Sequence, residues 1–363
     1  MNRLITSIIY FAVTLVSLSL TACDSNNDPA EISEINDNRS EIIIAGSTFA
    51  SPLFEKVLQT YEQGTKFSYH SIGSGAGIEQ FITGDAYIGT TDAPINEKEA
   101  ARLNENFEEI VVTSGMISIA YNVEGLTDTL KLPRNVYTDI FLGEITRWND
   151  PRILEVNPDI NLPDSAIQVI ARSDSSGTTF AFTNHLSTVS PAWKTTFGAT
   201  KKLDWPGKTM EAKGNEGVSQ RLAITNNSIG YVEFGFAQRL GLKVASLENK
   251  SGKFVLPNNE TGDIGLVDEF YSEAEQVVSS IADPEGESAY PIVAYTWALI
   301  RKKYETPGIG SDVRDFIKWT LNEDQSLAAP LHYLPLSPEI IRAEQDKLRL
   351  YAFTPLSFWL CTL

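Results

Sequence analysis

Apolar positions along this chain fall into short runs separated by helical stripes, and the runs repeatedly end in glycine and small hydroxyl residues. Glu41-Ile42-Ile43-Ile44-Ala45 closes on Gly46, which predicts a short buried strand. Pro52 opens a helix reaching about Gln63, with Leu53, Phe54, Val57, Leu58 and Tyr61 on one face. Lys66 to Ser71 alternates as a strand does. Gly77 to Thr83 has helical spacing, and Ala86 to Gly89 predicts a third strand leading into Thr90-Thr91-Asp92. This rhythm implies a parallel sheet with ligands at the carboxyl ends of its strands.

Glu109 to Tyr121 predicts a long strand that crosses from a first lobe into a second. The second lobe takes a helix over Arg134 to Leu142, a strand over Ile167 to Arg172, a helix over Thr178 to Leu186 and a strand over Ile229 to Val232. Tyr290 to Thr296 predicts the return crossing, and helices near Ser311 to Leu321 and Ser337 to Leu348 complete the first lobe. Asn258 to Gly262 is turn-rich and reads as a loop. The expected fold is α/β: residues 41–113 plus 291–349 form lobe I and residues 114–290 form lobe II. Their mixed, mostly parallel sheets are joined by a two-strand hinge that lets the lobes close on a ligand.

Both ends of the chain depart from this pattern. Arg3 precedes an apolar run from Ile5 to Leu20, as in a secretory signal. The run closes on Leu20-Thr21-Ala22-Cys23, which resembles the bacterial lipobox. That resemblance implies removal of residues 1–22, a lipid on Cys23 and, from Asp24, retention at the inner membrane of a diderm cell. Residues 23–40 are polar and acidic and read as a flexible tether. Cys361 is the only other cysteine, so no internal disulfide or cysteine metal site is expected. Residues 350–363 hold Phe353, Phe358, Trp359 and Leu360 with no charged side chain, and are too short to span a bilayer. Their pattern fits packing against the body or docking a partner and does not choose between them.

The chain has 363 residues, 42% hydrophobic and 21% charged, with a formal net charge of −18. A nucleic-acid binder would be basic, so that class is disfavoured. An anionic ligand would be repelled at long range, and its capture would rest on local dipoles and hydrogen bonds.

Three turns offer such dipoles. They are Ala45-Gly46-Ser47-Thr48-Phe49, Ile72-Gly73-Ser74-Gly75-Ala76-Gly77 and Arg172-Ser173-Asp174-Ser175-Ser176-Gly177-Thr178. Each ends a strand and opens a helix, whose first N–H groups are unpaired and carry a partial positive charge. Thr48 adds a hydroxyl and Phe49 a backbone N–H. Ser74 does the same in the second turn, and Ser176, Gly177 and Thr178 supply hydroxyls and N–H groups in the third. Arg172 can form a bidentate pair with an oxyanion, and Asp174 is placed to fix its fork. Each turn alone reads better as plain helix capping, and only the set joined by Arg172 and Asp92 is specific.

Asp92 discriminates among ligands. Phosphate keeps a proton near neutral pH and can donate it to a carboxylate, whereas sulfate would set two acceptors against each other. Burying such a mismatch costs roughly 2–5 kcal/mol. The competing reading is that Asp92 caps the helix starting near Asn96. Other chemistry fails on inspection. Gly207-Lys208-Thr209 lacks the upstream glycine of a P-loop, and neither Ser74 nor Ser176 sits in a Gly-x-Ser-x-Gly elbow. His70, His185 and His332 lack metal-ligand spacing, and His185 reads as structural. Trp193, Trp205 and Trp297 read as core. No cofactor and no metal are expected.

Taken together, Gly46-Ser47-Thr48-Phe49, Ser71-Ile72-Gly73-Ser74-Gly75, Thr91-Asp92-Ala93-Pro94 and Arg172-Ser173-Asp174-Ser175-Ser176-Gly177-Thr178 resemble the phosphate-binding protein of the bacterial phosphate-specific ABC transporter. Lys213-Gly214-Asn215-Glu216-Gly217 and Ile229-Gly230-Tyr231-Val232-Glu233 are similar to its second-lobe motifs. The resemblance runs from about Ile42 to Lys347. It implies a periplasmic-binding-protein-like (type 2) fold closing over one phosphate, a monomer, and no enzymatic activity. By motif position it implies phosphate contacts from Thr48, Phe49, Ser74, Asp92, Arg172, Ser176, Gly177 and Thr178, with Asp174 as the partner of Arg172. The implied partners are permease subunits, and the implied location is the periplasmic or extracellular face of the membrane, anchored at Cys23. Ser47 stands where the family usually has an alanine-like residue, a change expected to be neutral. A secreted phosphoester hydrolase, for which no convincing histidine base is found, and a phosphate-sensing surface protein are the alternatives.

Overall fold

The computed structural model describes residues 41–104, 106–267, 281–323 and 325–350. The expected signal peptide, the tether, Cys23, Cys361 and residues 351–363 of the tail lie outside them.

The all-apolar strand β1 (Ile42–Gly46) lies between β2 (Phe67–Ser71) and β3 (Ile88–Thr91), parallel to both. Strands buried on both faces read as continuous apolar runs, which is why β1 does. The crossovers are α1 (Ser51–Thr60) and α2 (Ser74–Thr83). Helix α2 begins three residues before the expected Gly77, because Gly73 at φ 93 completes the turn. Strand β3 begins later than expected: the N–H of Ala86 is still bonded to Gln80 O at the end of α2, at 3.0 Å. Helix α3 (Glu97–Leu103) follows, with Asn96 and Glu99 forming a capping box.

Strand β4 (Glu108–Asn122) is 15 residues long and serves two neighbourhoods. After it come β5 (Lys131–Leu132), α4 (Arg134–Leu142), α5 (Pro151–Leu154), β6 (Gln168–Arg172), α6 (Gly177–Val189) and α7 (Pro191–Thr196). Next are β7 (Met210–Ala212), α8 (Gly214–Ile224), β8 (Ser228–Glu233), α9 (Phe234–Arg239) and β9 (Lys243–Val244). Then follow β10 (Ser246–Glu248), β11 (Phe254–Val255), α10 (Asn259–Val267) and β12 (Val293–Ile300). Helices α11 (Ile309–Glu323), α12 (Gln325–Ala328) and α13 (Pro338–Leu350) close the described chain.

The main sheet runs β2-β1-β3-β12-β4-β8-β6-β7, with β9 beside β4. Its flanks are parallel, while its centre, where β12, β4 and β8 meet, is antiparallel. Residues Glu108 to Met116 of β4 pair with β12, and Ile117 to Asn122 pair with β8. Strands β5, β10 and β11 form a separate small sheet. The expected loop at Asn258 to Gly262 is instead the start of α10. Asn258 accepts from Thr261 N through Oδ1 (3.0 Å) and donates its own N–H to Thr261 Oγ1 (3.1 Å), so these turn-forming residues act as a helix cap.

His185 is buried in α6 with Nε2 2.8 Å from the Tyr137 hydroxyl, and burial, aided by Arg134, pulls its pKa down to about 3. Trp193, Trp205 and Trp297 are buried. No helix among the described residues is long and apolar enough to cross a membrane.

Candidate anion-binding site

Three helices start where strands of the two halves of the sheet end: α1 after β1, α2 after β2, and α6 after β6. The structure brings these starts together. A Cβ on Gly177, at the start of α6, would lie 2.6 Å from both Asp92 N and Ser74 Oγ, so only glycine lets this turn approach so closely. Gly75 N donates to Ser175 O at 3.0 Å, which ties the second turn to the third through backbone alone. Side chains add cross-links between the same halves. Lys201 Nζ lies 2.5 Å from Glu99 Oε1, and Ser51 Oγ donates to Glu216 Oε1 at 3.1 Å.

In the third turn, Ser176 caps α6 by accepting from Thr179 N at 3.1 Å, and Phe180 N makes the first intrahelical bond, to Ser176 O. The N–H groups of Gly177 and Thr178 lie ahead of that bond and belong to the orphan donors of the helix start. Arg172 ends β6. Its Nε and Nη2 donate to the two oxygens of Asp174 at 2.8 and 2.6 Å, and its Nη1 donates to Thr178 Oγ1 at 3.3 Å. Burial alone would raise the pKa of Asp174, but the Arg172 guanidinium and the N–H of Gly214 hold it below the usual carboxylate range. The backbone of Arg172 is fixed as well, donating to the Tyr231 hydroxyl at 3.2 Å.

Asp92 follows β3 and is buried. It does not cap α3, since Asn96 fills that role. Its Oδ1 accepts from Ser47 Oγ at 2.6 Å and from Thr296 Oγ1 at 2.8 Å. Its Oδ2 has one long contact, to Ser74 Oγ at 3.5 Å, and so retains acceptor capacity. Burial raises its pKa to about 6, against the opposing pull of the Ser47 and Thr296 hydroxyls, Arg172 and Ser74. The carboxylate thus titrates close to the physiological range.

Two expectations change here. Ser47 is not neutral: its hydroxyl donates to Asp92 and accepts from the N–H groups of Phe49 (3.0 Å) and Ala50 (3.2 Å). The Phe49 N–H, expected to face an anion, is therefore occupied by Ser47. The Phe49 ring packs edge-on to Tyr333, whose hydroxyl donates to Phe49 O at 2.5 Å.

Sequence reasoning missed Thr296, Asn215 and Glu233. Asn215 is buried at the start of α8 and bridges Thr48 and Thr178 with bonds of 3.0–3.1 Å. Its motif was visible, but nothing in local spacing shows a contact 167 positions away. Glu233 is buried at the end of β8, where burial raises its pKa to about 8 although the N–H groups of Gly235 and Phe236 and nearby Arg239 favour its charged form. No cluster of potential metal ligands occurs among the described residues.

A split α/β sheet with helix starts converging from both halves defines a class, and a family model described as a PBP superfamily domain matches residues 32–324. The chain is 38% identical over 303 residues to the phosphate-binding protein PstS of Pasteurella multocida (strain Pm70), covering 83% of this chain and 88% of that one. It is 33% identical over 354 residues to PstS of Xylella fastidiosa (strain 9a5c), covering 92% and 96%. Its fold is also similar to the crystal structure of a phosphate-binding protein from Stenotrophomonas maltophilia, with a TM-score of 0.68 at 17% identity over 85% of this chain and 93% of that one. The chain belongs to the PstS family of phosphate-binding proteins.

Proposed function

We propose that this protein captures inorganic phosphate between two closing lobes outside the cell and delivers it to the permease subunits of an ABC transporter. The reading is one of binding, not of catalysis, in keeping with a family of binding proteins. Thr48, Ser74, Arg172, Ser176, Gly177 and Thr178 donate to the anion, and the N–H of Phe49, bonded to Ser47, supports the turn beside it. Asp174 holds the Arg172 fork, and Asp92 Oδ2 accepts the proton of the ligand. The observation that carries this reading is the buried Asp92, with one oxygen saturated and the other open among donors from both halves of the sheet.

The lobes are residues 41–113 plus 291–349 and residues 114–290, and β4 and β12 are the strands that flex between them. All the site residues come from one chain, so a monomer suffices. The signal-like N-terminus supports release of residues 1–22 and a lipid on Cys23 that keeps the protein at the membrane face. Calorimetric titration with phosphate and with sulfate at neutral pH tests the central claim. Saturable heat from phosphate alone is expected. Equal affinity for both ions, or none for phosphate, overturns it.

A further inference from the structure

The Asn215 side chain makes three hydrogen bonds, one of them across the two halves of the site, and its bonds have a direction. Its Oδ1 accepts from Glu233 N at 3.0 Å. A backbone N–H can only donate, so the amide oxygen must face β8 and Nδ2 must face the site. That Nδ2 has two hydrogens, and two oxygens receive them: Thr48 Oγ1 at 3.1 Å and Thr178 Oγ1 at 3.0 Å.

Each threonine oxygen also receives a second donor. Thr48 Oγ1 accepts from the backbone N–H of Asn215 at 3.1 Å, and Thr178 Oγ1 accepts from Arg172 Nη1 at 3.3 Å. A hydroxyl has two lone pairs and one hydrogen. With both lone pairs engaged, the hydrogen of each threonine must leave in the remaining direction, and no acceptor for either is found among the described residues. Both threonines are buried, so water does not substitute freely.

We infer that Asn215 is a positioning residue that fixes the Thr48 and Thr178 hydroxyls as donors toward the bound anion. Its bonds to Thr48 span the two halves, so the polarity of Thr48 is set only when they meet, whereas that of Thr178 is set within one half. The inference rests on the phosphate reading and deepens it. Oxygens facing Thr48 and Thr178 must be bare acceptors, and Asp92 Oδ2 is the place for a ligand proton. At the oxygens that face these two threonines, a second ligand proton is therefore disfavoured.

The charged groups around the bridge are Arg172 on Thr178, Asp174 on Gly214 N, Glu216 on Ser51, Glu233 at the end of β8, and Asp92 beside Ser74 and Gly177. All are retained when only Asn215 is changed, so a difference between variant and parent isolates the bridge. The test is phosphate titration of the full chain and of Asn215→Ala at pH 8 and pH 6.5. The variant should bind about ten- to hundredfold more weakly at pH 8. Its affinity should also fall less steeply on acidification, because freed hydroxyls can accept from a second ligand proton. Asn215→Ser, which keeps the backbone N–H but has no side-chain amide to span both threonines, serves where the alanine variant does not fold. A double-mutant cycle completes the test: in a Thr48→Val, Thr178→Val background the Asn215 change should cost at least threefold less than in the parent. Unchanged affinity, a parallel pH profile, or an equal cost in both backgrounds overturns the inference. Absence of phosphate binding by the parent overturns the phosphate reading itself, and the inference with it.

Discussion

At the scale of single residues, the proposed function makes Asp92 the group that governs what the site accepts. Its carboxylate is raised to about 6 by burial. Above that pH it accepts a ligand proton, and below it the protonated acid can donate to an ion that has none. Sulfate should therefore compete with phosphate increasingly as pH falls through about 6, as read by competition calorimetry. Asp92→Asn places a permanent donor there. Phosphate should weaken about ten- to hundredfold while sulfate gains, and the pH step in sulfate competition should vanish. An unchanged ratio of the two affinities would count against proton matching. Ser47 tunes the same group through its 2.6 Å bond. Ser47→Ala removes a donor that favours the charged form, so the step should move up by roughly half to one pH unit. Little of this was legible in advance. Asp92 could be picked out because an acid among anion-binding turns is chemically odd. Ser47 could not, since its partner is 45 positions away, and Thr296 is 204 positions away.

Among the elements, the turn chemistry was the most legible part. Glycine, serine and threonine mark the ends of β1, β2 and β6, and the helices follow as local propensity dictates. The misreadings share a cause. Gly73, Asn258 and Thr261 were read for their turn preference, yet each sits at a helix start and sets where the helix begins. The close approach of α6 to the opposite half leads to a direct expectation. Gly177→Ala puts a methyl 2.6 Å from Asp92 N and Ser74 Oγ. Overpacking of this kind typically costs 1–3 kcal/mol, so phosphate affinity should fall roughly ten- to hundredfold. Small-angle scattering should show that the variant compacts less on adding phosphate than its parent does. Full compaction with parental affinity would show that the two halves need not approach this closely.

For the molecule as a whole, buried acids make stability depend on pH in an unusual sense. Glu233 and Glu344 are both buried, with pKa values raised by burial to about 8 and about 7. The folded chain keeps protons that the unfolded chain has released above its ordinary carboxylate pKa. Their contribution to stability is therefore present at low pH and lost as pH rises through 7 and 8. His185, held near 3, acts in the opposite sense and favours folding as pH rises toward 6.5. Glu344→Gln should reduce the loss of stability between pH 5 and pH 8 by about 2 kcal/mol in urea denaturation. An identical loss in variant and parent would sink this assignment. Deletion of residues 351–363 should leave phosphate affinity unchanged by titration, since no proposed contact lies beyond Thr296.

Strand β12 shifts register against β4 between Thr296 and Trp297, and Thr296 is one of the two hydroxyls that grip Asp92 Oδ1. An opening of the proposed cleft that straightens β12 there would loosen one hydroxyl on Asp92 while letting water reach the carboxylate. Burial is the larger of the two influences on its acidity, so exposure wins and the opened group is the weaker base. Unloading the cargo would then register in an unbuffered solution as proton release by the protein.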